Sequence, residues 1–384
     1  MRRITDSLRD AFKKGDMLLL FLCLIATGFG CVCIASATNY MGSPRFLIVQ
    51  LAATAIGIVC YFLLTCVDVE TIAERKELLF VFNVFLILLL IPFGTDGGTG
   101  NKSWLDLPGF PVMIQPAEIC KISFTILLAK IMSNHKNHLS RPKSVLHMAA
   151  HMIFLVGLIV VISHDDGVAL IFVFIFIIMA FVGGVSLWWF AGGVGALAAA
   201  MPLIWTKVMD GYQRQRILMI FDPTVDPDGQ GIRWQTVRSL RSLTGGGLSG
   251  QGLFHGSRTQ SGVLFAQHTD FVFSSIGEEL GLIGCLFTLF LLCAIIGRCI
   301  YVGLKTPSYL GRMVCIGTAA AMIFQVLVNI GMCIGVMPVI GLTLPFISYG
   351  GSSIVSMYLA MGVVSSIRAH PGGGMKSAYI QPRY

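Results

Sequence analysis

The stretch AQHTDFVFSSIGEELG (266–281) sets a histidine, an aspartate and two glutamates at the mouth of a segment that otherwise reads as membrane-spanning. Charge held in lipid is costly unless it is paired or wetted, so ionisable residues at such a place are functional candidates. The surroundings leave little doubt that lipid is the setting. Of 384 residues 55% are hydrophobic and only 12% are charged, far from the averages of soluble domains. Apolar runs long enough to cross a bilayer, about 20 residues each, begin near Met17, Phe46, Leu78, Pro116, Val145, Val168, Leu187, Leu280, Arg312 and Gly351. The expected fold is an all-α polytopic membrane protein of about ten transmembrane helices.

Lys and Arg in short loops resist translocation, whereas acidic residues hardly matter. The first 16 residues carry five basic residues, and DVETIAERKE, NHKNHLSRPKS and LKTPSYLGR carry two, three and two. The intervening NYMGSPR and SHDDG hold one and none, and 334–350 holds none. Both termini are therefore expected in the cytoplasm, 1–16 as a leading segment and 369–384 as a flexible glycine-rich tail. The long connection 207–270 falls on the outer side. Its seven basic residues do not oppose this, because long loops cross regardless of charge.

All eleven cysteines lie in apolar runs and none in the outer loop, so disulfides and zinc sites are not expected. Polar residues at membrane depth carry the information. In IQPAEICKI, Pro116 suits the first turn of a helix, and Glu118 and Lys121 then share a face, as a structural ion pair or as the border of a polar cavity. In SHDDGVAL, His164, Asp165 and Asp166 form a short outer turn that either is solvated and caps the next helix or contributes to a site. The outer loop combines Arg214, Arg216, Arg233, Arg238 and Arg241, forked donors suited to phosphate oxygens, with a glycine run through which backbone amides could approach an anion. It has no nucleotide-binding spacing. Asp270 either caps the helix that follows or faces a partly dry cavity, where desolvation would raise its pKa and suit it to general-base work. Glu278 falls within about 80° of it on a helical wheel.

Together QPAEICK, GGLSGQG, HTDFVFSSIGEELGLIG and VNIGMCIGVMPVIGLTLPFISYGGSS (328–353) resemble, in order and over most of the chain, the motifs of the SEDS family of shape, elongation, division and sporulation proteins, which includes RodA, FtsW and SpoVE. HGSRTQ points towards a RodA-like member. The resemblance implies a multi-pass protein of the bacterial cytoplasmic membrane that polymerises lipid II into glycan strands at the outer face. Asp270 is the implied catalytic residue. Glu118, Lys121, Arg216, Arg214, Arg238, His268, Thr269 and Ser348 are implied as substrate-binding or cavity-lining, with Arg216 the first choice for leaving-group charge. The implied partner is a class B penicillin-binding protein with transpeptidase activity; no nucleic acid or nucleotide is expected, no metal ligands are assigned, and a divalent cation is left open. Departures from the family pattern occur at Leu264–Ala266, where Leu-Pro-Glu is usual, at Ser103–Trp104 for Arg-Trp, at 163–168, and at Arg238–Ser239 for Gln-Ser. Two other readings stay open. A lipid-linked precursor flippase would suit ten helices with a charged pair, although no inverted repeat is visible. A non-catalytic cell-wall scaffold would have no need of Asp270.

Overall fold

The computed structural model describes residues 13–96, 101–106 and 113–371. The basic residues at 2, 3 and 9 and most of the glycine-rich tail lie outside the described residues. The longer helices are α1 (Met17–Ala37), α2 (Arg45–Thr65), α3 (Lys76–Leu88, continued by Leu90–Phe93), α4 (Pro116–Asn134), α5 (Pro142–Ser163), α6 (Asp166–Gly183), α7 (Leu187–Leu203), α8 (Gly211–Phe221), α9 (Trp234–Gly246), α10 (Val272–Lys305), α11 (Tyr309–Cys333) and α12 (Gly351–Ala369). Among the described residues the only strands are the two-residue pair Gly94–Thr95 and Trp104–Leu105.

Helix ends follow local chemistry. The Asp16, Asp165 and Ser308 side chains accept the amides of Leu19, Val168 and Gly311 and so start α1, α6 and α11. Pro116 and Pro142 sit in the first turns of α4 and α5, where a missing N–H is harmless. Asp210 and Gln213 form a reciprocal capping box at the start of α8, satisfying two end groups at once.

Nine helices among the described residues are long and apolar enough to cross a membrane. The tenth expected span, α4, has the length but carries Glu118, Lys121 and Lys130. Its position explains how it tolerates them. α4 is packed by α3, α6, α11 and α12, and 14 of its 19 residues are buried, so the first two charges meet protein rather than lipid. α12 packs chiefly on α2, and α10 lies against α11, α9 and α1. The lipid-facing shell is made by outward Leu, Ile, Val and Phe such as Ile48, Leu63, Val81, Leu146 and Val161. α7 is peripheral, with no buried residue along its length.

One sequence expectation changes. The span expected near Leu280 begins at Val272, because 272–280 is itself helical; the chain breaks at Gly281, with φ 66° and ψ −161°, a backbone region essentially confined to glycine. The leading segment expected to end at 16 is tied into the bundle by its last residue. Asp16 is fully buried, bonded to Arg298 at 2.9 Å and Arg368 at 2.8 Å. Its backbone N–H donates to Ser365, and its carbonyl accepts from the Tyr61 hydroxyl. None of the eleven cysteines forms a disulfide.

Candidate active site

Residues 266–271 form a tight turn ahead of α10. Ala266 is left-handed, with φ 52°, and its carbonyl gathers the amides of Thr269 and Phe271 at 3.1 and 3.2 Å. Phe271 is the N-cap of α10, and no side chain caps it. Asp270 therefore leaves its carboxylate free of helix capping.

Three consecutive carbonyls of this turn are held from outside. That of His268 accepts from the amide of Tyr349 at 2.9 Å, that of Thr269 from the Ser348 hydroxyl at 2.6 Å, and that of Asp270 from the Asn329 side-chain amide at 2.9 Å. The Cys333 thiol, one helical turn after Asn329, also points at the Asp270 carbonyl, at 3.7 Å. The donor segment is itself fixed: Gln50 of α2 donates to the Ser348 carbonyl and accepts from the Gly350 amide, both at 3.2 Å. The His268 ring lies against Phe46 and Tyr349, with centroids 4.6 and 5.7 Å away. Its Nδ1 is buried without a partner.

The Asp270 carboxylate faces Gly341, where an added Cβ would stand 3.6 Å from Oδ2. Burial pushes its pKa up to about 6, against a smaller lowering by the Thr269 hydroxyl. A carboxylate of that pKa is ionised at neutral pH yet basic enough to accept a proton. Among the described residues no ion pair reaches it.

The remaining expected site residues distribute unequally. Arg216 reaches the same loop, donating to the Val339 carbonyl at 3.0 Å and to the Tyr212 hydroxyl at 2.9 Å. Arg238 stacks over Trp234 at 3.9 Å and donates to the Val263 carbonyl at 2.6 Å, which fixes the chain just before the turn. Among the described residues Arg214 bonds only to the carbonyl of Asp210, at the exposed surface. Glu118 and Lys121 pair at 2.8 Å inside the bundle, and Ser356 of α12 donates to the second Glu118 oxygen at 2.7 Å. The pair connects to the turn through the start of α12, where Ser352 also receives the Gln115 amide at 3.3 Å.

Other polar residues join the site region. Asp165 caps α6, as one reading held, but it is buried rather than solvated. It accepts from Ser103 at 3.0 Å and from the Gln115 side chain at 3.4 Å. Burial raises its pKa above the usual carboxylate value, and nearby Asp166 and Glu118 add to the rise. Gln50 gave no sequence signal beyond a polar atom inside an apolar run, and Asn329 and Tyr349 were marked only as members of the family-like stretch 328–353, with no part assigned to either.

Glu278 does not share a surface with Asp270. Its oxygens accept the amides of Arg258 and Thr259 at 2.8 and 3.1 Å, with the hydroxyls of Thr259 and Ser257 alongside. Glu279 accepts from Ser36, Gly256 and Gln260. Both glutamates are buried, and they anchor the outer segment 256–260 to α10 and α1. The wheel relation failed because α10 starts only at Val272, so Asp270 lies outside its periodicity.

The glycine run is also used otherwise than expected. The amides of Gln251 and Gly252 donate to the carbonyls of Glu278 and Glu279 at 3.0 and 2.9 Å, and the amides of Leu282 and Ile283 donate to the carbonyls of Gly247 and Leu248 at 3.0 and 3.3 Å. In an uninterrupted helix those four groups of α10 would bond one another. The loop thus fills the break at Gly281. A Cβ at Gly246 or Gly250 would overlap the carbonyl oxygens of Gly277 or Glu279, so close approach of two backbones is what these glycines serve.

The model of the FtsW/RodA/SpoVE family, described as cell cycle protein, matches residues 16–372. The chain belongs to this family. It is accordingly a multi-pass protein of the cytoplasmic membrane. It is 32% identical over 357 residues to the peptidoglycan glycosyltransferase MrdB of Escherichia coli K12, covering 92% of this chain and 93% of the relative. It is 33% identical over 361 residues to the stage V sporulation protein E of Bacillus subtilis, covering 92% and 96%. A solved peptidoglycan synthase complex, described as coordinating polymerization and crosslinking, contains a chain with TM-score 0.79 and 30% identity, covering 93% of this chain and 98% of that one. The rod shape determining protein RodA of Thermus thermophilus matches with TM-score 0.69 and 26% identity, over 93% and 97%.

Proposed function

We propose that this chain is a peptidoglycan glycosyltransferase that polymerises lipid II into glycan strands, with Asp270 as general base. One observation carries the role of Asp270: its carboxylate is free of capping and ion pairing, while three external hydrogen bonds hold the turn that bears it. The family membership and the names of the relatives support the reaction class.

In this reading Asp270 takes the proton from the 4-hydroxyl of the acceptor sugar. The freed oxygen forms a bond to the donor's anomeric carbon as the bond to undecaprenyl pyrophosphate breaks, and the configuration inverts. Leaving-group charge calls for cations. Arg216 is assigned that role because it alone among the expected arginines bonds to the loop facing Asp270; Arg238 holds the approach to the turn, and Arg214 contributes at the surface. His268, Thr269 and Ser348 hold the turn, and the Glu118–Lys121 pair shapes the interior beneath it. The sidedness follows from the basic short loops: both ends in the cytoplasm, and 207–270 with the Asp270 turn outside. The partner is a class B penicillin-binding protein that crosslinks the strand; the solved complex supports a partner of that kind. The role is in elongation, division or sporulation.

The test is glycan polymerisation from lipid II by the purified protein, alone and with the cognate transpeptidase, comparing wild type with Asp270→Ala. Polymer from wild type and none from a folded, partner-binding variant supports the reading. No polymer from either, with the partner present, removes it, and lipid II translocation in vesicles then tests the flippase.

A further inference from the structure

The strongest unassigned feature lies behind the candidate base, at Asn329. This residue sits on α11, fully buried. Its side-chain nitrogen donates to two carbonyls at once: that of Asp270 at 2.9 Å and that of Leu342 at 2.6 Å. Both amide hydrogens are therefore used, whereas its side-chain oxygen is buried with no partner. An unmatched acceptor in a buried site is a cost. The residue is thus fitted for donation in two directions and for nothing else visible in the protein.

The two carbonyls it joins belong to the two sides of the gap at the carboxylate. Asp270 bears the carboxylate, and Leu342 follows Gly341, the left-handed residue that the carboxylate faces. Three residues before Leu342, the Val339 carbonyl receives Arg216. The strap 339–342 is consequently pinned at one end by the arginine and at the other by Asn329, which also grips the base.

We infer that Asn329 is a positioning residue that sets the distance between the Asp270 carboxylate and the 339–342 strap, and through that strap the placement of Arg216. The inference rests on the glycosyltransferase reading for its kinetic consequence, but not for its geometric one. Only a residue with two donors can hold both carbonyls. Aspartate at 329 keeps the size and turns both donors into acceptors facing carbonyl oxygens; alanine removes them.

Asn329→Ala and Asn329→Asp are compared with wild type in two measurements on folded, full-length protein in detergent. In lipid II polymerisation, kcat falls at least ten-fold in both variants while KM stays within two-fold, and Asn329→Ala added to Asp270→Ala changes nothing further. The second measurement needs no turnover: carbodiimide labelling of Asp270, followed by peptide mass spectrometry across pH, reports when the carboxyl is protonated. Its midpoint, near pH 6 in wild type, falls by half a unit or more in Asn329→Ala as the turn loosens and water enters. A purely structural role lowers the melting temperature and leaves kcat and the labelling midpoint of the folded protein at wild-type values, and that outcome overturns the inference. If wild type makes no polymer, the reaction assignment fails and the labelling midpoint alone decides the role of Asn329.

Discussion

Lys121 Nζ stands 2.8 Å from Glu118 Oε1 on successive turns of α4, and neither side chain is more than 5% exposed. Removing one partner of a buried pair leaves a charge without compensation, which costs about 3–5 kcal/mol, whereas replacing both by neutral groups of similar size is often close to neutral. Lys121→Met is therefore expected to lower the melting temperature in detergent sharply. The double variant Glu118→Gln with Lys121→Met should recover most of the loss. A single variant as stable as wild type would mean that water reaches the pair.

Asp16 gives a second expectation, at the other end of the bundle. It is fully buried, while Arg298 and Arg368 are 16% and 43% exposed. Asp16→Ala should cost about 3–5 kcal/mol, since it also removes the cap on Leu19. Arg368→Ala should cost less than about 1 kcal/mol, because an exposed partner is already screened by water. Thermal unfolding of the two variants side by side distinguishes a buried anchor from a surface ion pair.

The glycine run should be intolerant where two backbones meet and tolerant elsewhere. Gly250→Ala places a Cβ on the Glu279 carbonyl and demands a left-handed alanine, with φ 79°; strain of about 1–3 kcal/mol follows from the backbone alone. Limited proteolysis should then cut 247–262 faster. Gly192→Ala on α7 meets nothing within 4 Å and should be neutral or stabilising by about 0.5–1 kcal/mol.

Asp270 predicts two pH effects of opposite consequence. A base must be ionised, so polymerisation should fall as pH drops through about 6, and Asp270→Asn should be inactive throughout. Stability runs the other way. The folded-state pKa is raised, so ionisation of Asp270 opposes folding, with the cost growing from the ordinary carboxylate range near 4 up to about 6 and complete above it. Asp270→Asn should therefore melt higher than wild type at pH 8, with the gap closing as pH falls towards 4. Equal melting temperatures at pH 8 would show that the carboxylate is well hydrated.

Much of this was legible in the chain itself. Length and hydropathy located every span to within a few residues except α10, whose first nine residues read as polar because Glu278 and Glu279 sit there. Their partners, Ser36, Gly256 and the amides of 258–259, lie on other elements, and no periodicity in one segment reveals a neighbour contributed by another. Asp270 was visible because a carboxylate beside an apolar run is expensive. Asn329 stood inside the family-like stretch 328–353, but its part was not legible, since a single amide inside α11 looks the same whether it packs or holds a turn contributed by another segment. The glycine run misled for a related reason: absence of a Cβ permits approach by anything, and here the visitor is another backbone.

The break at Gly281 makes the outer loop and the top of α10 one cooperative unit. The carbonyls of Glu278 and Glu279 and the amides of Leu282 and Ile283 find their partners only when 247–252 has docked, and backbone groups left unpaired at membrane depth are not tolerated. The segment therefore cannot mature as an isolated hairpin during insertion. Its last hydrogen bonds close only after the intervening outer segment 253–277 has folded back onto the top of α10. Hydrogen exchange at 251–252 and at 282–283 should share a single opening rate, because both sets of amides bond across the same junction between 247–252 and 278–283.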